Sequence, residues 1–345
     1  MSLAKGEHLG MGVNPERSRR PVFVMGCHRS GTNLLYDTLL SAGGFAIYRG
    51  YLPIHKMLIP KCGDPANQQN RQKLLSLWLR SSAFRKSGLD AQDLSEKIMG
   101  QCRTGGDFIS IVMNEIARRQ GAARWAVYDA DNVLYMPRIA AEIPGALFVH
   151  IVRDGRDIAL SLKKMGGFRP FPWSHSIRGL NETALYWEWM VEKGRYHGRQ
   201  FPNQYTEVQY EALIQEPRRT LEQLGRFLQH DLDYNKIKRS AQGTLSDSNS
   251  SFREEGLIGT AAPVQRWKQR LSAEEVAAIE GLVGDCLQSL GYTLDSETER
   301  RTRGARMKLL KPLYRGFLNT KVWLKVNTPL GRFANLDPLQ IQSDS

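Results

Sequence analysis

The chain is poor in cysteine: four residues in 345, at positions 27, 62, 102 and 286. None forms a CxxC pair, and none stands at zinc-ligand spacing from a histidine. A disulfide framework and a structural zinc site are therefore excluded as organising devices, and a reduced, metal-free, cytoplasmic protein is expected. No run of about 18 apolar residues occurs, so no membrane-spanning helix is expected. The first twenty residues have no apolar core and no small-residue cleavage site, so they do not read as a secretory signal. Acids are few beside bases, 35 Asp and Glu against 48 Lys and Arg, for a net charge of +13. That imbalance implies anionic partners: nucleic acid, an anionic membrane face, or phosphorylated or sulfated small molecules.

Residues 21–26 (PVFVMG) and 146–152 (ALFVHIV) are short, continuously apolar runs. Such runs mark strands buried on both faces of a parallel sheet. A helix is expected after each, the first from about Gly31 and the second through Ile158, Leu160 and Leu162. Residues 205–210 (YTEVQY) alternate as a strand. Further helices are expected over 181–193, capped by Asn181, and over 217–229. Ser272 and Glu275 form a capping box for a helix ended by Gly291. Residues 240–266 read as a long loop, and 50–120 as helical patches between loops. Strands alternating with helices give an α/β fold with a parallel sheet and helices on both faces. The expected division is a loose arm over 1–20, one domain over 21–295 and a basic tail over 296–345. A mostly helical insertion, about 50–125, is expected to cover the acceptor side.

The stretch VFVMGCHRSGTNLL carries the sharpest signal. A strand, a G-x-x-x-x-G turn and a helix form a cradle for phosphate, because close-packed backbone N–H groups and the helix N-terminus face the anion. Gly26 and Gly31 have Walker A spacing, yet Thr32 and Asn33 stand where that motif requires Lys-Ser/Thr. The cation lies inside the turn instead, at Arg29. A kinase or NTPase would lack its main contact to the transferred γ-phosphoryl group. Arg153 ends the second buried strand, where α/β sheets bind ligands, and Ser161 follows about two helical turns on. Asp154, Arg156 and Asp157 read as local turn and helix-start residues. Two anion sites on two strand ends suit a nucleotide phosphorylated at both its 5′ and 3′ positions.

The order G-x-x-R-S-G-T-x-L-L, V-R-D-G-R-D-x-x-x-S, Q-Y-E-x-L-x-x-x-P and R-W-K resembles the sulfotransferases that use PAPS (3′-phosphoadenosine 5′-phosphosulfate). The likeness covers about residues 20–290 and is nearest to bacterial members and the tyrosylprotein and heparan branch. It implies a P-loop-like fold and sulfuryl transfer from PAPS, with no metal. By similarity, Arg29, Ser30, Gly31, Thr32 and Asn33 hold the phosphosulfate, while Arg153 and Ser161 hold the 3′-phosphate. Tyr210, Arg266, Trp267 and Lys268 match further nucleotide contacts, with a core role open for Tyr210 and Trp267.

The catalytic base is less legible. Relatives carry an acid after the first helix, or W-x-E-K-x-P before the second strand. Here Val127 and Tyr128 fall in place of the Glu–Lys pair. Beside the catalytic Arg29, the local candidates are Asp129 and Asp131, then His28, His55 and His175; Asp129 also reads as a strand-end cap, and His28 as a residue that shapes the turn. Glycan, lipid, peptide and small-molecule acceptors are all open, and nucleic acid is not expected. Residues 300–325 hold nine Lys or Arg and no acid, among Leu, Tyr, Phe and Trp. That tail packs on the domain or contacts the inner membrane face. The alternatives to a sulfotransferase are a P-loop kinase or NTPase, and a catalytically silent nucleotide-binding or membrane-adapter protein.

Overall fold

A computed structural model describes residues 16–165, 179–245, 264–295, 300–333 and 339, with only the backbone at 244 and 300–310. His175, most of the 1–20 arm and most of the 240–266 loop lie outside the described residues.

Five parallel strands form one sheet in the order β2-β3-β1-β4-β5. They are β1 (Val22–Gly26), β2 (Phe45–Ala46), β3 (Arg124–Tyr128), β4 (Leu147–Val152) and β5 (Tyr205–Gln209). β1 is central, with Val24 in register with Tyr128 on β3 and with Val149 on β4. Both neighbours cover it, which explains its unbroken apolar sequence. Its side chains alternate between two cores. Val22 and Val24 pack with Leu34, Leu35 and Leu39 of α1 (Thr32–Ala42) and with Leu221 and Leu224 of the Pro217–Leu228 helix. Phe23 and Met25 point the other way, to Phe108, Trp187, Met190 and Ile279. Each of these strand side chains is fully buried. Burial on that scale contributes about 1.5–3 kcal/mol per large side chain.

The chain leaves β1 towards β2 and leaves β4 towards β5, on opposite sides of the sheet. Connections that diverge in this way open a crevice at the carboxyl ends of the two strands, here β1 and β4.

The helix expected over 181–193 runs Leu180–Gly198, and its cap is Gly179 rather than Asn181. Glu182 closes the turn by accepting from Gly179 N–H at 2.8 Å. Asn181 sits inside the first turn, where it has no capping role. The Ala273–Ser289 helix carries the Ser272–Glu275 capping box. Arg300–Asn327 is a single helix whose Tyr314 and Leu318 are buried in the second core. Lys311 and Arg315 on it reach Glu188 at 2.6 and 3.1 Å.

Candidate active site

β1 ends at Gly26, where the backbone of β4 lies too close for a side chain. A Cβ on Gly26 would lie 2.4 Å from the Ile151 carbonyl oxygen. The turn that follows holds Arg29 at φ 72 and Gly31 at φ 98. Left-handed backbone at a non-glycine residue stores about 1–3 kcal/mol and persists where surrounding structure or function demands it. Ser30 N–H donates to the Cys27 carbonyl at 3.1 Å. The Ser30 hydroxyl is buried and has no hydrogen-bond partner among the described residues. α1 then starts from Gly31 with no side-chain cap. The first N–H groups of the helix and one buried hydroxyl are thus left for an anion. Thr32 is half-buried, and Asn33 is exposed.

The β4 end converges on this turn. Arg29 Nε donates to Ser161 Oγ at 3.0 Å. Arg153, 1% exposed, lies over the Tyr210 ring at 4.0 Å and has Nη1 3.5 Å from the Arg29 carbonyl oxygen. Tyr210 opens the Tyr210–Gln215 helix and packs against Gly31, where an added Cβ would come within 2.6 Å of its ring. Arg29, Gly31, Arg153, Ser161 and Tyr210 therefore form one assembly across the β1–β4 crevice.

Asp154, Arg156 and Asp157 do more than their sequence context implied. Asp154 caps its helix by accepting from Arg156 N–H at 2.9 Å, as a local reading expects. It also pairs in two-pronged fashion with the Arg156 guanidinium, at 3.0 and 2.7 Å. Arg156 reaches Glu280 at 2.6 Å and covers the Trp267 ring at 3.7 Å. Asp157 accepts from Trp267 N–H at 2.9 Å and Gln265 N–H at 3.1 Å. These side chains are buried, and a buried charge must find partners. They are tertiary anchors that tie the 264–270 segment to the β4 end. Trp267 is held inside this network, with its Nε1–H on Asp154 at 3.2 Å. Arg266 is buried beside Asp157. Lys268 points outward to Asp295 at 3.7 Å, away from the strand ends.

On the other side of the turn, His28 Nε2 lies 3.3 Å from Asp131 Oδ1. Lys56 Nζ pairs with Asp131 and lies 3.9 Å from Asp129 Oδ1. Asp129 accepts from Asp131 N–H at 3.0 Å and from Tyr51 OH at 2.9 Å. Both Asp129 oxygens are thus committed to shaping the turn after β3. Burial presses the His28 pKa down, but the Asp131 carboxylate outweighs it and holds His28 above the ordinary imidazole value. Burial alone would raise Asp131; the charges of His28 and Lys56 instead hold it well below the usual carboxylate range. Lys56 lies above its ordinary value, burial being overcome by Asp131 and Asp129. Among the described residues nothing hydrogen-bonds His28 Nδ1. His55 is elsewhere, buried against Glu142 at 2.7 Å. Lys56 and Tyr51 escaped the sequence reading: they sit in and beside the one-turn π-helix Ile54–Leu58, which has no periodic signal.

A parallel sheet, a glycine-bounded turn and a second arginine at the adjacent strand end define a P-loop-like α/β fold. Residues 21–234 match the Sulfotransferase family, and the chain belongs to that family. It is 25% identical over 289 residues to a Caenorhabditis briggsae protein named "Putative protein-tyrosine sulfotransferase", covering 80% of this chain and 90% of that one. Two solved structures are similar in fold. The sulfotransferase domain from the curacin biosynthetic pathway shares 14% identity, with 80% of this chain and 100% of that one covered and a TM-score of 0.46. Mouse sulfotransferase SULT7A1, complexed with PAP, shares 15% identity, with 84% and 91% covered and a TM-score of 0.45. Family membership supports sulfuryl transfer over the kinase and silent-adapter alternatives. The match spans all five strands, Arg29, Arg153, Ser161 and Tyr210, and ends before Arg266 and the C-terminal helix.

Proposed function

We propose that this sulfotransferase takes its sulfuryl group from PAPS and delivers it to a hydroxyl or amine acceptor, releasing PAP (3′-phosphoadenosine 5′-phosphate). The observation that carries the reading is the 3.0 Å bond from Arg29 to Ser161, which joins the glycine turn to the second strand-end site. The 5′ end of the nucleotide fits the Arg29–Asn33 turn, with the buried Ser30 hydroxyl as a waiting partner. The 3′-phosphate fits Arg153 and Ser161, as a guanidinium fork and a hydroxyl suit a phosphate.

Sulfuryl transfer, like phosphoryl transfer, asks for in-line positioning and for stabilisation of charge on the departing phosphate. Arg29 supplies the second. The acceptor O–H or N–H loses its proton, a new bond to sulfur forms, and the sulfur–oxygen bond to the phosphate breaks with its electrons on PAP. His28 is the base in this reading, in preference to Asp129. Asp131 holds the Nε2–H side of the ring, which leaves Nδ1 to take the proton and stabilises the imidazolium that results.

The test is a pair of variants assayed with PAPS. Arg29→Ala should lower kcat by about 10²–10³-fold, the usual cost of a transition-state donor. Arg153→Ala should chiefly raise KM for PAPS, by about 10–100-fold, as expected for lost charge-assisted bonds. Near-normal kinetics in both variants would refute the assignment.

A further inference from the structure

The C-terminal helix does not merely cover the domain. Between it and the Asn132–Glu142 and Leu180–Gly198 helices lies a cavity of about 590 Å³. Its walls are Leu134, Tyr135, Trp189, Val322, Trp323 and Val326. Arg138, Lys193, His197, Asn319, Thr320 and Asn327 line it too. Arg138 is engaged by Glu142 at 2.8 Å, whereas Lys193 has no ion-pair partner among the described residues. Trp323 is 59% exposed and forms part of the mouth.

This cavity adjoins the catalytic cluster by two routes. Asp131 immediately precedes the Asn132–Glu142 helix, and Tyr135 lies one turn further along on the same side. The Tyr135 phenol is buried and feels the charges of Asp131 and Lys56. On the C-terminal helix, Lys325 falls between the wall residues Val322 and Val326. Burial presses its ammonium below the ordinary lysine value, and the charges of Lys56 and Asp131 act on it. One stretch of one helix therefore lines the cavity and carries a lysine that the charges of the cluster act on.

We propose that this cavity is the acceptor site and that the acceptor is an apolar alcohol or phenol, a reading that rests on PAPS being the donor. The volume suits a small molecule, and pockets for such ligands are mostly apolar with a few placed polar groups. A sugar would bring many hydroxyl groups, each costly to bury without a partner, and the two tryptophans, the tyrosine and the aliphatic side chains offer few, the polar lining being Asn319, Thr320, Asn327, His197 and the two cations. Lys193 gives the cavity one available cation for the sulfated end of a product. The family match holds one side of the cavity, with Leu134, Tyr135 and Trp189, whereas Val322, Trp323 and Val326 on the other side lie beyond it.

The test uses the full chain, with octyl sulfate as a product-like probe, tryptophan fluorescence as its readout, and PAP binding by calorimetry as a separate measurement. Thr320 lines the cavity and is exposed, so Thr320→Trp fills the space at little risk to folding. Thr320→Trp and Lys193→Glu, each checked by its melting curve, should weaken octyl sulfate at least 10-fold and leave the PAP Kd within twofold. With PAPS, wild type should sulfate 1-octanol or 2-naphthol in preference to N-acetylglucosamine. Intact PAP binding with unchanged octyl sulfate affinity in both variants would overturn the proposal, as would sulfation of the sugar alone. Loss of PAP binding in wild type would instead overturn the donor reading beneath it.

Discussion

Gly31→Ala tests whether the anion turn is braced by the second site. The residue has φ 98, and a Cβ there would fall 2.6 Å from Tyr210 Cδ2 and 3.0 Å from Cε2. Carbon atoms settle at about 3.5–4.0 Å, so the ring would have to retreat by roughly 1 Å. It has no free direction: Tyr210 is 1% exposed and carries the Arg153 guanidinium at 4.0 Å on its face. Two costs follow. The backbone term is about 1–3 kcal/mol for a side chain held at such a φ. The packing term is about 1–3 kcal/mol for an added carbon in a filled site. Together they come to about 2–6 kcal/mol, set against a total stability of about 5–15 kcal/mol. Urea unfolding followed by far-ultraviolet circular dichroism measures the sum, and calorimetry measures PAP binding, which should weaken at least 10-fold as Arg153 is displaced. Gly88→Ala is the control, since Gly88 has φ 65 with nothing within 4 Å of the added carbon. It meets the backbone cost alone. If Gly31→Ala loses no more stability than Gly88→Ala and binds PAP as wild type does, the ring is not a brace and the two sites are not coupled.

Asp131→Asn should move the acidic limb of the kcat/KM profile. In wild type Asp131 holds the His28 pKa above 6.5, so a neutral base accumulates only above that value; without Asp131, burial dominates and the limb should shift to lower pH, with a lower plateau. The sign for stability is set by the same shift. The contribution from His28 is fully present below pH 6.5 and is lost as pH rises through the raised folded value, a dependence Asp131→Asn should abolish. An unmoved limb would exclude His28 as the base. Arg156→Met should cost about 3–5 kcal/mol in urea unfolding, because it leaves the buried carboxylates of Asp154 and Glu280 without their cation. A loss under about 1 kcal/mol would mean that Asp154, Arg156 and Asp157 are local helix-start residues after all.

The parts of the fold that sequence makes visible are those whose environment is uniform. β1 and β4 are buried on both faces, so every residue but His150, which is partnered by Tyr205 OH at 2.7 Å, is apolar or small and the run stands out. β5 is partly exposed and alternates, which is also readable. β3 is hidden because it begins with a buried charge. Arg124, 1% exposed, spends its guanidinium on the carbonyl oxygens of Arg20 at 2.6 Å, Leu228 at 2.9 Å and Arg17 at 3.3 Å. A strand that opens on arginine looks like a loop until those three carbonyls are seen. β2 has two residues, too few for any period. The same bonds show why residues 16–20 are not part of a loose arm: Arg17 also donates to Phe227 at 2.7 Å.

The site divides along a similar line. Anion turns are legible because their work is done by backbone, which leaves glycines and small residues at fixed spacing. Side-chain clusters leave no such trace, because their members arrive from separate elements. His28 comes from the turn, Asp131 from the end of β3 and Lys56 from a one-turn π-helix. Each has a bland local reading, and only their meeting at one place gives them a common chemistry. The charges around Asp154 repeat the lesson from the opposite direction. A short-range role was visible and real, since Asp154 does cap its helix. What sequence could not show is that four ionisable groups, Asp154, Arg156, Asp157 and Glu280, are each at most 2% exposed. Buried ions demand partners at any sequence distance, so a charged motif on a buried strand end is evidence for a tertiary network even when local capping already accounts for each residue. For this chain that network fixes the Gln265–Arg270 segment beside Arg153. Under the proposed function, the segment is thereby set at the nucleotide end of the crevice, and Lys56 with the C-terminal helix is left to define the proposed acceptor end.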